Sequence, residues 1–165
     1  TEARFGMFQQ EVERAMAESN HSWNNLPEIS PLVVHAAAIC QFTGHDTLDI
    51  LAAIKETAGP DHKTFMLTIS DGGMADMVVN MLSSLHALKD TIPPMIVIAI
   101  GDGVCDSVQG FDRTNCVEVF KEATSEGQSS WGTQEYYSVI LRKHAILTLA
   151  SVSLDTAGMI YTDPD

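Results

Sequence analysis

Positive charge is scarce in this chain: 9 Lys and Arg stand against 22 Asp and Glu among 165 residues, a net charge of −13. Like charges repel, so neither nucleic acid nor an anionic membrane is expected as a partner. The same charge serves solubility, or steers the chain onto a basic neighbour in a larger assembly. Long apolar runs are missing too. No stretch of about 18 apolar residues occurs, which excludes a transmembrane helix and leaves no direct membrane span to expect. The chain opens at Thr1 without a charged and then apolar leader, so a targeting segment is expected to have been removed or to lie outside this numbering. Three cysteines, Cys40, Cys105 and Cys116, are too few for a disulfide scaffold and make no C-x-x-C pair. Cys105 and Cys116 flank one loop, and they read equally as a disulfide formed in an oxidising lumen or as two thiols. The six histidines form no H-E-x-x-H pair, which argues against zinc, and no G-x-S-x-G elbow supports a serine hydrolase.

What is present suits one ordinary core. With 45% hydrophobic residues over 165 positions, a single folded unit is the default reading. Residues 1–61 read as a helical N-terminal segment packing on that core. Phe5, Phe8, Val12 and Met16 recur at helical spacing, Ser30-Pro31 starts a second helix that Gly44 would stop, and Asp46 would cap a third over Thr47–Ala58. Residues 62–165 alternate instead. Strands are expected at Thr64–Ile69, Met95–Ile100, more weakly at Val117–Phe120, and at Gly158–Thr162, with helices at about Met74–Lys89 and Gln134–Ser151. Continuous apolar strands alternating with helices predict an α/β, Rossmann-like, mostly parallel sheet flanked by helices. Met74, Met77 and Met81 are expected to fill its core.

Sheets of that kind bind ligands beyond the carboxyl ends of their strands. Three polar clusters fall there. Ser70-Asp71-Gly72-Gly73 leads from a strand into a helix, so it reads either as a set of N–H groups meeting a phosphate or as a plain βα turn with an N-cap. Gly101-Asp102-Gly103 reads as a turn. Asp163 and Asp165 close an apolar strand with two carboxylates one residue apart, and oxygen donors in that pattern suit Mg²⁺ or Mn²⁺. Pro164 between them fixes its own φ and biases Asp163 toward extended backbone. On the preceding helix, Arg142 and Lys143 either face a nucleotide diphosphate or form a solvated face.

The run Gly132-Thr133-Gln134-Glu135-Tyr136, then Lys143, Leu147 to Leu149 and Met159-Ile160-Tyr161-Thr162-Asp163-Pro164-Asp165 resembles the nucleotide-diphospho-sugar transferase family of plants and algae. Thr64 to Asp71, followed by Met77 to Leu85, is similar to that family's opening strand and helix. The likeness covers residues 62–165. It implies an A-type glycosyltransferase fold, a nucleotide sugar bound near Ser70, Asp71, Lys143 and Asp163, and Mn²⁺ or Mg²⁺ held by Asp163 and Asp165. It also implies the Golgi lumen or another secretory compartment, with an organellar complex as the alternative. In such enzymes the acceptor-binding half follows the Asp-x-Asp strand. The expectation is therefore a truncated half-domain, inactive alone, whose open side a protein partner covers. The competing expectation is a non-catalytic subunit that keeps the fold without the chemistry.

Overall fold

The computed structural model describes residues 42–59, 61, 64–88, 92–121, 133–153 and 158–164, with isolated helical positions at Gly6, Met7, Gln10, Arg14 and Ala17. The helix expected from Ser30 lies outside these residues, as do Cys40 and Asp165. In chain order the elements are helix α1 (Gly44–Ala58), strand β1 (Phe65–Asp71), a 3₁₀ turn (Gly72–Met74), α2 (Ala75–His86), β2 (Met95–Ile100), α3 (Val104–Val108), β3 (Thr114–Val119), α4 (Gln134–Ser153) and β4 (Met159–Tyr161).

The four strands form one sheet in the order β3-β2-β1-β4, and every pairing is parallel. This is the α/β, Rossmann-like arrangement expected from the alternation. The helices divide between the faces. The first apolar cluster joins Leu48, Ile54 and Ala58 of α1 and Ile146 and Leu149 of α4 to Phe65, Leu67, Ile69, Ile96 and Ile98. The second joins Val78 and Leu82 of α2 and Val104 and Val108 of α3 to Met95, Val97 and Ala99. Strand alternation explains the division, because neighbouring residues of β1 and β2 point to opposite faces. With a layer on each face, β2 is buried along its whole length and β1 nearly so. Two-sided burial is why both strands read as unbroken apolar runs.

Several boundaries correct the expectations. Gly44 begins α1 rather than stopping a helix, because the Thr43 hydroxyl accepts from the Asp46 N–H at 3.0 Å and makes Thr43 the N-cap in place of Asp46. β1 runs on to Asp71, held by its pairing with β2. β3 starts at Thr114 and ends before Phe120, whose φ of 55° is left-handed and breaks the ladder. α2 stops at His86, and the short α3 after Gly103 was not anticipated. Met77, expected in the core, is exposed on the outer face of α2.

Cys105 of α3 and Cys116 of β3 form a disulfide, which ties a helix of five residues to the outermost strand. A crosslink over 11 residues restricts the unfolded chain most directly. We expect Cys105→Ser with Cys116→Ser to lower unfolding free energy by about 2–3 kcal/mol in urea titrations, and the same loss on reduction of the native chain. A second weak point lies at the centre. Thr68 is wholly buried on the α2 face of the sheet, and its hydroxyl has no hydrogen-bond partner among the described residues. Thr68→Val keeps the shape and removes that hydroxyl, so it should raise stability by about 1–2 kcal/mol; a loss instead would mean that the hydroxyl is satisfied in solution.

Candidate functional site

β1 is paired with β2 as far as Asp71 opposite Ile100, but its last register pair with β4 is Leu67 opposite Tyr161. The upper end of β1 thus outruns β4. The chain reaches β2 and β3 from β1 through α2 and α3 on one face, then returns through α4 on the other face to place β4 on β1's far side. The β1–β4 junction is therefore the point where strand order reverses, and such switch points open a crevice at the carboxyl edge. Parallel strands bring Ser70, Asp71 and Asp163 to that edge.

Lys143 reaches the same place from α4. Its ammonium lies 3.3 Å from Asp163 Oδ1, while the Tyr161 hydroxyl donates to Asp163 Oδ2 at 3.2 Å. The two charges are unequally solvated: 11% of the Lys143 side chain is exposed against 43% of Asp163. Lys143 belongs to the layer between α4 and the sheet, and of the two alternatives for this residue the solvated face does not hold. Tyr161 and Asp163 are two apart on extended backbone, so alternation puts both on the α4 side, with Thr162 turned to Met81 of α2 at 4.0 Å.

Asp71 and Ser70 are occupied otherwise. Asp71 is buried and Oδ1 accepts from Gly73 N–H at 3.0 Å, capping the 3₁₀ turn, while the wholly buried Ser70 hydroxyl donates to the Asp71 carbonyl at 3.0 Å. The next turn, Gly101 to Gly103, has Gly101 and Gly103 at positive φ, and Gly103 N–H donates to Glu118 at 3.0 Å. It is the turn expected from its composition.

A group that sequence reasoning missed closes the β3 end of this edge. The Asp46 carboxylate is buried, accepting the Thr43 hydroxyl at 2.8 Å and the Phe120 N–H at 3.1 Å. Phe120 packs on Phe42 with ring centroids 5.1 Å apart, and the Arg142 guanidinium lies 5.0 Å from its ring centroid. Asp46 and Phe120 are 74 positions apart, so no local pattern could have joined them. Tyr161 was within reach of sequence reasoning, since it stands two residues before Asp163 in a strand.

An oxygen of Asp163 is the right donor for a hard cation. An ammonium already sits against it, and no cluster of three or more His, Cys, Asp or Glu able to hold a metal occurs among the described residues. No match was found among family models, curated proteins or solved structures. No helix among the described residues is long and apolar enough to cross a membrane.

Unequal burial sets the stability of the ion pair. Asp163→Ala leaves a nearly buried ammonium unpaired and should cost about 1–2 kcal/mol, between the values for exposed and buried pairs. Lys143→Met leaves only a half-exposed carboxylate and should cost less than 1 kcal/mol, roughly. Urea unfolding of both variants checks the order, and its reversal would show that Lys143 is solvated.

Proposed function

We propose that this chain binds a nucleoside diphosphate sugar at the carboxyl edge of the sheet and belongs to the machinery of glycosyl transfer. The observation that carries the reading is Lys143 and Asp163 meeting at the β1–β4 junction, with Asp71 ending β1 on the same carboxyl edge of the sheet. A cation and a carboxylate at a switch point supply the opposite charges that a metal–diphosphate pair requires. The resemblance in residues 62–165 supports the same assignment. In it, Asp163 and Asp165 hold Mn²⁺ or Mg²⁺, Lys143 faces a diphosphate oxygen, and Ser70-Asp71 lie toward the nucleotide. The chemistry such a metal supplies is neutralisation of the diphosphate as its bond to the anomeric carbon breaks and an acceptor hydroxyl takes its place. Lys143 would add positive charge at the leaving oxygen. The Cys105–Cys116 disulfide supports an oxidising compartment, in keeping with the secretory lumen that the resemblance implies.

A non-catalytic subunit of a larger complex is the second reading. Tyr137 and Leu141 favour it: they stand one turn apart on α4 and are 55% and 70% exposed, an apolar pair suited to a protein partner.

Calorimetry with a panel of UDP, GDP and ADP, each with Mn²⁺, separates the two. We expect one nucleotide to bind and Asp163→Ala to weaken it at least about tenfold, as loss of a charged ligand implies. Absence of binding by every nucleotide would remove the nucleotide-sugar reading and leave the subunit.

A further inference from the structure

We propose that a cavity at the amino edge of the sheet binds a small zwitterion with an apolar side chain, the chemistry of free leucine, methionine or phenylalanine. It lies at the opposite end of the strands from Lys143 and Asp163, and it stands whether or not the nucleotide-sugar reading does.

The cavity opens between the end of α2 and the first residues of β2 and β3, and it holds about 200 Å³. That is space for roughly six or seven waters. Leu82, Leu85, Ile92, Pro93 and Met95 make most of its lining apolar. Ordinary ligand pockets span about 300–1,000 Å³, so this one suits a ligand no larger than a single amino acid and has no room for a nucleotide.

Charge enters from one turn. Asp112, Arg113 and Thr114 line the β3 side of the cavity. Among the described residues neither the Asp112 carboxylate nor the Arg113 guanidinium has a hydrogen-bond or ion-pair partner, and the two do not pair with each other. Arg113 has a φ of 60°, left-handed backbone that a residue with a Cβ adopts at a cost, and its carbonyl accepts the Met95 N–H at 2.9 Å. Glycine would give that backbone without strain. What glycine lacks is the guanidinium. The turn is also fixed before any ligand arrives: it lies inside the loop that Cys105–Cys116 closes, and Phe111 meets the His86 ring of α2 edge-on, with centroids 5.4 Å apart. A wall ordered in advance spares the ligand that cost.

These features select the ligand together. The guanidinium is a fork for a carboxylate, and the Asp112 carboxylate accepts from an ammonium. A plain anion would meet Asp112 and a net charge of −13, and a plain cation would meet Arg113. Exposed charges alone hold a ligand weakly, so burial of an apolar side chain against Leu82, Leu85 and Met95 has to add to them. An α-amino acid with such a side chain carries all three groups.

Amide spectra of the ¹⁵N-labelled chain, titrated with leucine, methionine and phenylalanine, test this. At least one of the three should shift the His86, Ile92 and Thr114 signals with a Kd on the order of 0.1–1 mM. Glycine, isocaproate and isopentylamine each lack one of the three groups and should bind at least about tenfold more weakly. Arg113→Gly separates binding from folding: it relieves the left-handed strain, so the urea midpoint should not fall, yet amino-acid affinity should drop at least about tenfold. Should that variant fail to fold, Arg113→Asn, which tolerates the same backbone, takes its place with the same expected loss. No shift with any of the three at tens of millimolar overturns the proposal, as do shifts confined to the carboxyl edge. Isocaproate binding as tightly as leucine, or a folded Arg113 variant binding as the wild type does, also overturns it.

Discussion

A parallel strand covered on both faces has no position along its length for an unpaired charge, and in this molecule that constraint reaches from the core to the site. β2 is buried throughout and β1 is buried except at Met66. Main-chain hydrogen bonds use the edges of both strands, and apolar layers use their faces. Polar chemistry is thereby confined to the ends. At the carboxyl end Asp71 survives burial because a main-chain N–H meets one of its oxygens. Thr68, in mid-strand, shows the cost of breaking the rule, with a hydroxyl that no group among the described residues satisfies.

The carboxyl edge is assembled by contacts that cross from helix to strand. Asp46 of α1 holds the N–H of Phe120 past the end of β3, and Phe120 in turn carries Phe42 on one side and Arg142 of α4 on another. A left-handed φ at a phenylalanine is unfavourable by itself, on the order of 1–2 kcal/mol. It persists because the hydrogen bond and both ring contacts act on the same residue. One position along α4, Lys143 turns the other way to the end of β4. Consecutive residues on a helix diverge by about 100°, so one turn of α4 reaches both outer strands of the sheet.

Lys143 differs from an ordinary surface lysine in what surrounds it. An exposed pair with Asp163 would contribute little, since water solvates both ions nearly as well apart. A stem packed between α4 and the sheet makes the ammonium dependent on one carboxylate. Asp163, being half-exposed, is the more solvated partner of the pair.

Much of the architecture was legible along the chain. Unbroken apolar runs such as Met95–Ile100, separated by helical periodicity, determine a parallel sheet between two helical layers, and the same alternation puts Ser70, Asp71 and Asp163 on one edge. These are signals of short range, set by side-chain period and by the burial each period demands. Strand ends were less legible, because β1 and β3 stop where their neighbours stop bonding to them; Asp71 and Thr114 belong to strands through Ile100 and Met95. That Lys143 is buried rather than solvated, and that Cys105 and Cys116 are joined, was decided only by packing. Whether a lysine is solvated, or two thiols meet, depends on which surfaces the crossovers bring together, and no spacing between residues encodes that. The same holds for Asp46 and Phe120: tertiary structure alone decided that a carboxylate in α1 would fix the turn after β3, because a buried carboxylate requires hydrogen-bond donors for both oxygens, and while Thr43 serves one from three residues away, the donor to the other lies 74 residues away in sequence.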